Sequence, residues 1–317
     1  MSAGAGAGHN GGGVSCIDAA DLLAGPAQPI RWLVHELIPK GTVGDVSGPP
    51  GDGKSSILLD LALALAGDAL EWAERRLAPE VDVAILGGER SSSVCLQRDL
   101  HRTGRPAPPR GRLVFPGPTE IDECPPLWKW NREAAEWLQT EWGKRVTEWL
   151  SIRRVGLVIL DTLLATSRGC DPLNIPQQYE LGNYVRRWAR EIGSDTTVLT
   201  VSHTNQASMR EPLDWRLHYL SRAGSSGLPG ALRWLAGVSR LRDDDDIAVQ
   251  NMLDVERRKL IAFGISKNNE MPQPDYTNNA PAIFEIRVDG GVQFVRHATR
   301  AMQPTKPAKG GRSRARD

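Results

Sequence analysis

The stretch GPPGDGKSS, Gly48 to Ser56, decides the fold. It matches the pattern G-x-x-x-x-G-K-[ST] in full. Its glycines allow backbone N–H groups to turn inward around phosphates. Lys54 is spaced to reach the β- and γ-phosphates of a nucleoside triphosphate. Ser55 is spaced to put its hydroxyl on Mg²⁺, and the helix opening there turns its positive end toward the anion. Gly48, Pro49, Pro50, Gly51, Asp52, Gly53, Lys54, Ser55 and Ser56 are thus the candidate binding segment, with ATP and Mg²⁺ the expected ligands.

Such a loop belongs between a strand and a helix. TVGDVS (Thr42–Ser47) reads as the strand, and Ser55–Ala66 as the helix, ended at Gly67. Further along, VDVAILGG (Val81–Gly88) predicts a strand and Ser92–His101 a helix. VGLVILD (Val155–Asp161) is almost continuously apolar, as in a strand buried on both faces. Ile175–Ile192 predicts a helix, and TTVLTVS (Thr196–Ser202) another buried strand. This alternation predicts an α/β fold with a mostly parallel sheet and crossover helices. Between residues 256 and 295 the pieces KLIAFGIS, AIFEIRV and VQFV lie among Gly-Gly and Pro turns, and predict a C-terminal antiparallel extension at the sheet edge.

The chain has 317 residues, enough for one core of roughly 220–250 residues plus tails. Hydrophobic residues make up 40% and the net charge is +1, so any basic surface is local. Cys16, Cys95, Cys124 and Cys170 are scattered without a CxxC pair, which points to free thiols in a reducing compartment. No apolar run approaches the ~20 residues that span a bilayer, and MSAGAGAGHNGGG lacks the apolar region of a signal peptide. The expectation is a cytoplasmic protein with no membrane partner. Residues 1–27 form an expected disordered or extended arm, residues 28–302 the core, and residues 303–317 a basic tail. The tail reads either as a solubilising segment or as a non-specific phosphate-binding arm.

A Pro/Trp-rich insert occupies about residues 105–153. Leu138, Trp142, Val146 and Trp149 recur at helical spacing and Asn131 is placed to act as N-cap, predicting an amphipathic helix packed on the core. Five of the ten tryptophans lie here, so a second reading is a docking surface for a protein or nucleic acid.

Three further residues carry candidate chemistry. Asp161 ends a buried strand, where a carboxylate holds Mg²⁺ in phosphoryl-transfer sites. Glu89 follows the strand VAILGG, where a carboxylate can orient an attacking water, or be an ordinary loop glutamate. His203 ends TVLTVS, where it reads either as a γ-phosphate contact or as a satisfied structural histidine.

Taken in order, these motifs resemble the RepA-like hexameric replicative helicase ATPases of plasmids and phages, which share the RecA-type core of DnaB-like helicases and RecA recombinases. The resemblance covers about residues 28–296: IRWLVHELIPKGTVGDVSGPPGDGKSS, ILGGER, LVILDTL, VLTVSHTNQ, SRAGSSGLPGALRWLAGVSRL and FGISKNN. It implies a catalytic role for Glu89, a Mg²⁺-side acid in Asp161 and a γ-phosphate sensor in His203. It also implies an arginine finger in Arg233 that reaches a neighbouring subunit, a second trans-acting cation in Lys267, and a homo-oligomeric, hexameric ring. The chain departs from the family pattern at Ala223, where an arginine is expected before the glycine; Arg222 lies one position earlier.

In RecA-type cores the loops after the Asp161 and His203 strands face the ring channel. Here those are residues 164–176 and 204–227, which carry Arg168, Arg210, Arg216 and Arg222. These arginines read either as contacts to single-stranded DNA phosphates or as surface charges. DDDD (Asp243–Asp246) reads as a solvated loop. Three functions follow: a DNA helicase or single-stranded-DNA-dependent motor in plasmid or phage replication, a regulatory or assembly ATPase working on a protein partner at the Trp-rich segment, or a RecA-like recombination protein.

Overall fold

The computed structural model describes residues 18–87, 93–117, 125–242, 245, 259–269, 276–277 and 280–297. Glu89, residues 1–14, Asp243, Asp244, Asp246 and the tail 303–317 lie outside them. By internal contacts the chain divides into residues 1–31 and 32–317. The described part of the first unit holds one short helix, Ala19–Leu23, whose first turn is capped by Asp18.

The second unit is built on a nine-stranded sheet. Its main elements in chain order are β1 (Val43–Gly48), α1 (Lys54–Ala66), β2 (Val83–Leu86), α2 (Ser93–Thr103), β3 (Leu113–Val114), β4 (Trp128–Asn131), β5 (Glu136–Gln139), α3 (Glu141–Arg153), β6 (Leu157–Leu160), α4 (Ile175–Ile192), β7 (Thr197–His203), α5 (Gly227–Ala231), β8 (Trp234–Arg240), β9 (Leu260–Asn268), β10 (Ala282–Ile286) and β11 (Val292–His297). The strand order is β11-β10-β9-β8-β1-β7-β6-β2-β3. From β8 to β3 neighbours run parallel, and from β8 to β11 they run antiparallel, as the sequence predicts.

The central strands are buried on both faces, which is why they read as unbroken apolar runs. One face packs α1, Trp72, Phe263 and Phe284 into one core cluster. The other packs α3, α4 and the β4–β5 hairpin into a second. α1 is buried along nearly its whole length, so its Leu/Ala composition suits an enclosed helix.

The Trp-rich insert corrects one expectation. It folds as a β-hairpin, β4 with β5, and only then as a helix, α3. Leu138 lies in β5 opposite Lys129, and the α3 N-cap is Thr140, whose Oγ1 accepts from Gly143 N–H at 3.0 Å. Asn131 instead closes the hairpin turn, accepting from the N–H groups of Glu133 and Ala134. Alternation explains the strand: Trp128 is buried while Lys129 is exposed, and Trp130 stands opposite Trp137 with rings 5.6 Å apart. Trp128 sits edge-on to Trp188 of α4 at 5.0 Å, and Trp188 Nε1 donates to Thr147 Oγ1 of α3 at 2.6 Å. The part of the expectation that holds is packing on the core: Trp128 and Trp137 are buried, and Trp130 and Trp142 pack against them.

The capping assignment has a direct check. Thr140→Ala is expected to lower unfolding free energy by about 1 kcal/mol in a urea titration. Asn131→Ala, in a partly exposed turn, should shift it by less than about 0.5 kcal/mol.

Candidate active site

Register positions the cleft. β7 runs parallel to β1 with His203 opposite Gly48. β6 runs parallel to β7 with Leu160 opposite Thr200, so Asp161 follows at the level of Val201. The carboxyl ends of three adjacent strands therefore converge on the turn before α1. They enclose a cleft of about 190 Å³ lined by Gly51, Gly53, Lys54, Ser55, Ser56, Asp161, Thr162, Val201 and His203.

The turn needs its glycines. Gly51 and Gly53 have φ of 78° and 89°, in the left-handed region that L side chains rarely adopt. Gly48 is bare for another reason: a Cβ there would collide with the Val238 carbonyl of β8. Lys54 is buried, and its Nζ donates to the carbonyls of Gly48 and Pro49, each at 2.8 Å. Its ammonium also lies 3.4 Å from His203 Nδ1. An ammonium has no lone pair, so a hydrogen bond at that contact requires Nδ1 as the acceptor.

Asp52, Pro49, Pro50 and Gly48 do not line the cleft. The Asp52 carboxylate faces β8, where Oδ2 accepts from Arg240 N–H at 3.0 Å and from Ser239 Oγ at 3.4 Å. Arg240 also donates from Nη2 to the Gly51 carbonyl at 2.9 Å. The phosphate loop is thus clamped from the neighbouring strand, by a residue that sequence reasoning did not single out. Its only sequence signal is position, at the carboxyl end of an apolar strand.

Asp161 Oδ1 is buried and lacks a hydrogen-bond partner among the described residues. An orphaned carboxylate oxygen and the Ser55 hydroxyl line the same cleft, a pair of hard oxygen donors whose chemistry fits Mg²⁺ or its water shell. Among the described residues no cluster of three or more His, Cys, Asp or Glu offers another metal site, and Cys170 carries a free thiol. Glu89 lies outside the described residues, beyond β2, whose Leu86 carbonyl accepts from Asp161 N–H at 2.8 Å.

Arg233 and Lys267 are not in this cleft. Arg233 is exposed and directly precedes Trp234, which pairs with Gly44 near the start of β1, so both cations lie toward the opposite end of the sheet. Lys267 pairs with Leu235 and donates to the carbonyls of Pro229 and Leu232 at 3.0 and 2.7 Å, capping α5. Burial first, and then the nearby Arg233, hold its pKa below the ordinary lysine value.

The loop after β7 also departs from expectation. Arg216 is buried, and its Nη2 bonds both Asp245 oxygens at 2.6 and 2.5 Å. Arg222 is buried against β1: its Nε lies 3.0 Å from Ser202 Oγ and 3.3 Å from Asp45 Oδ2. Asp45 also accepts from Thr200 and Ser202, each at 2.6 Å. These two arginines therefore hold the loop together and present no guanidinium to an outside phosphate. Asp245 correspondingly leaves the solvated-loop reading of DDDD, because a buried arginine requires a counter-charge. Arg168 and Arg210 are exposed. The loop base closes on the cleft, with Ala223 N–H donating to the His203 carbonyl at 2.6 Å and Asn205 N–H to the Ser221 carbonyl at 2.9 Å.

Asp45→Asn would leave Arg222 buried without a full counter-charge. It is expected to cost about 3–5 kcal/mol in chemical denaturation. Arg210→Ala should fall within about 0.5 kcal/mol of the parent.

Known proteins share this fold. Residues 15–209 match a family model described as AAA domain. A solved structure described as an ATPase domain superposes with a TM-score of 0.55 at 13% identity, over 81% of this chain and 86% of that one. A DnaB-like replicative helicase, solved in a study of its interactions with primase, superposes with a TM-score of 0.54 at 12% identity. That match spans 81% of this chain but 58% of that one. At such identities the likeness establishes the fold, a RecA-type P-loop ATPase core. The search of curated proteins finds no match.

Proposed function

The chain belongs to the AAA domain family and carries a P-loop ATPase core, and from that premise we propose that it hydrolyses ATP as an assembled ring, in the manner of RepA-like helicases, and moves along single-stranded DNA. One observation carries the reading. Lys54, Ser55, Asp161 and His203 gather in one cleft, while Arg233 lies toward the other end of the sheet. A transition-state guanidinium from Arg233 then has to come from a second copy, which makes hydrolysis depend on assembly.

In this mechanism the phosphate loop and the amino end of α1 bind the triphosphate. Lys54 exchanges its carbonyl partners for phosphate oxygens, using donors already aimed at the loop. Ser55 and Asp161 would hold Mg²⁺, which would supply neutralisation of phosphate charge. Glu89 orients the attacking water. His203 donates from Nε2 toward the γ-phosphate and loses that acceptor on cleavage. Its carbonyl is bonded to Ala223, so the change reaches the loop 204–222 directly.

Two features support DNA as the object of that loop. It exposes Arg210, and Trp215 is 42% exposed with its ring stacked on His218. Exposed cations and aromatic faces track single strands without sequence preference. At the insert Trp128 and Trp137 are committed to the core, while Trp149 stays 36% exposed. Among the described residues no helix is long and apolar enough to cross a membrane.

Steady-state ATP hydrolysis measured with and without single-stranded DNA tests the proposal. Stimulation that fades between low and moderate salt is expected, and Lys54→Ala should abolish turnover. Hydrolysis indifferent to DNA at every salt concentration would refute the motor reading.

A further inference from the structure

Helices α4 and α5 pack unusually closely. A Cβ at Gly182 would lie 2.6 Å from Ala231 Cβ and 3.2 Å from Leu228, so the bare α-carbon sets the separation. One and two turns beyond Gly182 on the same helix face come Arg186 and Arg190. Two residues beyond Ala231 comes Arg233, and the α5 carbonyls are held by Lys267. Close packing at a glycine thereby crowds four cations at the end of the sheet away from the phosphate loop.

No described carboxylate neutralises the three arginines. The guanidinium groups of Arg186, Arg190 and Arg233 make no hydrogen bond or ion pair with any described residue, although Arg186 is half-buried. Burial first, then the charges of Arg233 and Arg190, pull the Arg186 pKa below the ordinary arginine value, and Tyr179 is the one neighbour acting the other way. Elsewhere the chain gives its enclosed arginines counter-charges: Arg216 has Asp245 and Arg222 has Asp45. Repelling guanidiniums held together without a carboxylate are relieved by an anion, and a planar donor fork suits phosphate oxygens.

The chain's own triphosphate is out of reach. Gly44, opposite the residue after Arg233, stands four residues before Gly48, roughly 13 Å along a strand. We propose that Arg186 and Arg233 form a two-guanidinium clamp for the terminal phosphates of a nucleoside triphosphate bound on a second copy of this chain, with Arg190 at its rim. This rests on the assembly reading above and adds to it: Arg186, on α4, is a second trans-acting cation, whereas Lys267 is occupied in capping α5.

The test mixes two defective variants. Arg186→Ala alone should lower kcat roughly 10²-fold, and Lys54→Ala alone should be inactive. Combined one to one before assembly, they should regain turnover, because roughly a quarter of the interfaces would pair an intact phosphate loop with an intact Arg186. Binding of a fluorescent ATP analogue to dilute, unassembled Arg186→Ala should match the parent, separating this effect from unfolding or damage to the chain's own site. Arg186→Lys, which keeps charge but loses the fork, should recover only part of kcat.

Three outcomes would overturn the clamp. Parental turnover in Arg186→Ala would do so. So would a mixture that stays inactive while the parent assembles by light scattering and hydrolyses ATP. The third is intact DNA-free turnover with a shallower salt dependence of DNA binding, which would assign the patch to nucleic acid. A parent that neither assembles nor hydrolyses ATP would instead refute the assembly reading itself, and the clamp with it.

Discussion

The buried carboxylate of Asp45 holds the centre of this molecule. It lies in the middle strand, three residues before the phosphate loop, where an unpaired charge is costly. Thr200 and Ser202 from the next strand and Arg222 from the returning loop satisfy it together. The same contacts fix β7 against β1 in the register that sets His203 opposite Gly48. They also bring the end of the loop back to its start, beside the cleft. Strand pairing, loop closure and the position of the imidazole are therefore one arrangement, and each would shift if the carboxylate lost its partners.

A second connection runs from the phosphate loop through β8. Asp52 and Gly51 are bonded by Arg240, and the Arg240 carbonyl accepts from Arg216 Nη1 at 3.2 Å. Arg216 in turn is paired with Asp245. The loop after β7 is thus tied to the nucleotide end of the sheet at two places, Arg222 and Arg216, by buried charged contacts rather than by exposed ones. A loop tied at both places is braced as a unit, which suits the proposed coupling of His203 to Arg210 and Trp215.

The arginines of this chain separate into two chemistries that look identical in one dimension. Arg216 and Arg222 are internal and paired. Arg186, Arg190 and Arg233 are crowded together and lack a carboxylate among the described residues. The first set stabilises the subunit, where removing one partner strands a buried charge. The second costs the subunit something by repulsion and gains from an anion supplied from outside. Burial and partner, not residue type or loop membership, make the distinction.

Local pattern determined a large part of this protein. The glycine spacing of GPPGDGKSS specified the turn, because Gly51 and Gly53 adopt left-handed φ with no Cβ to clash. The apolar runs ending in Asp161 and His203 specified central parallel strands, because only strands covered on both faces dispense with alternation. What tertiary structure decided depended on residues far apart in the chain. The Trp-rich insert satisfies both a helical and a two-residue period, and its first part became a hairpin because Trp128 and Trp137 bury against α4, some forty to sixty residues on. Arg222 became a structural residue because Asp45, more than 170 positions earlier, needed a charge. The meeting of Arg186 with Arg233 arose from the missing side chain of Gly182. Contacts of that range have no period in the sequence, so they become legible only when the sheet has brought their partners together.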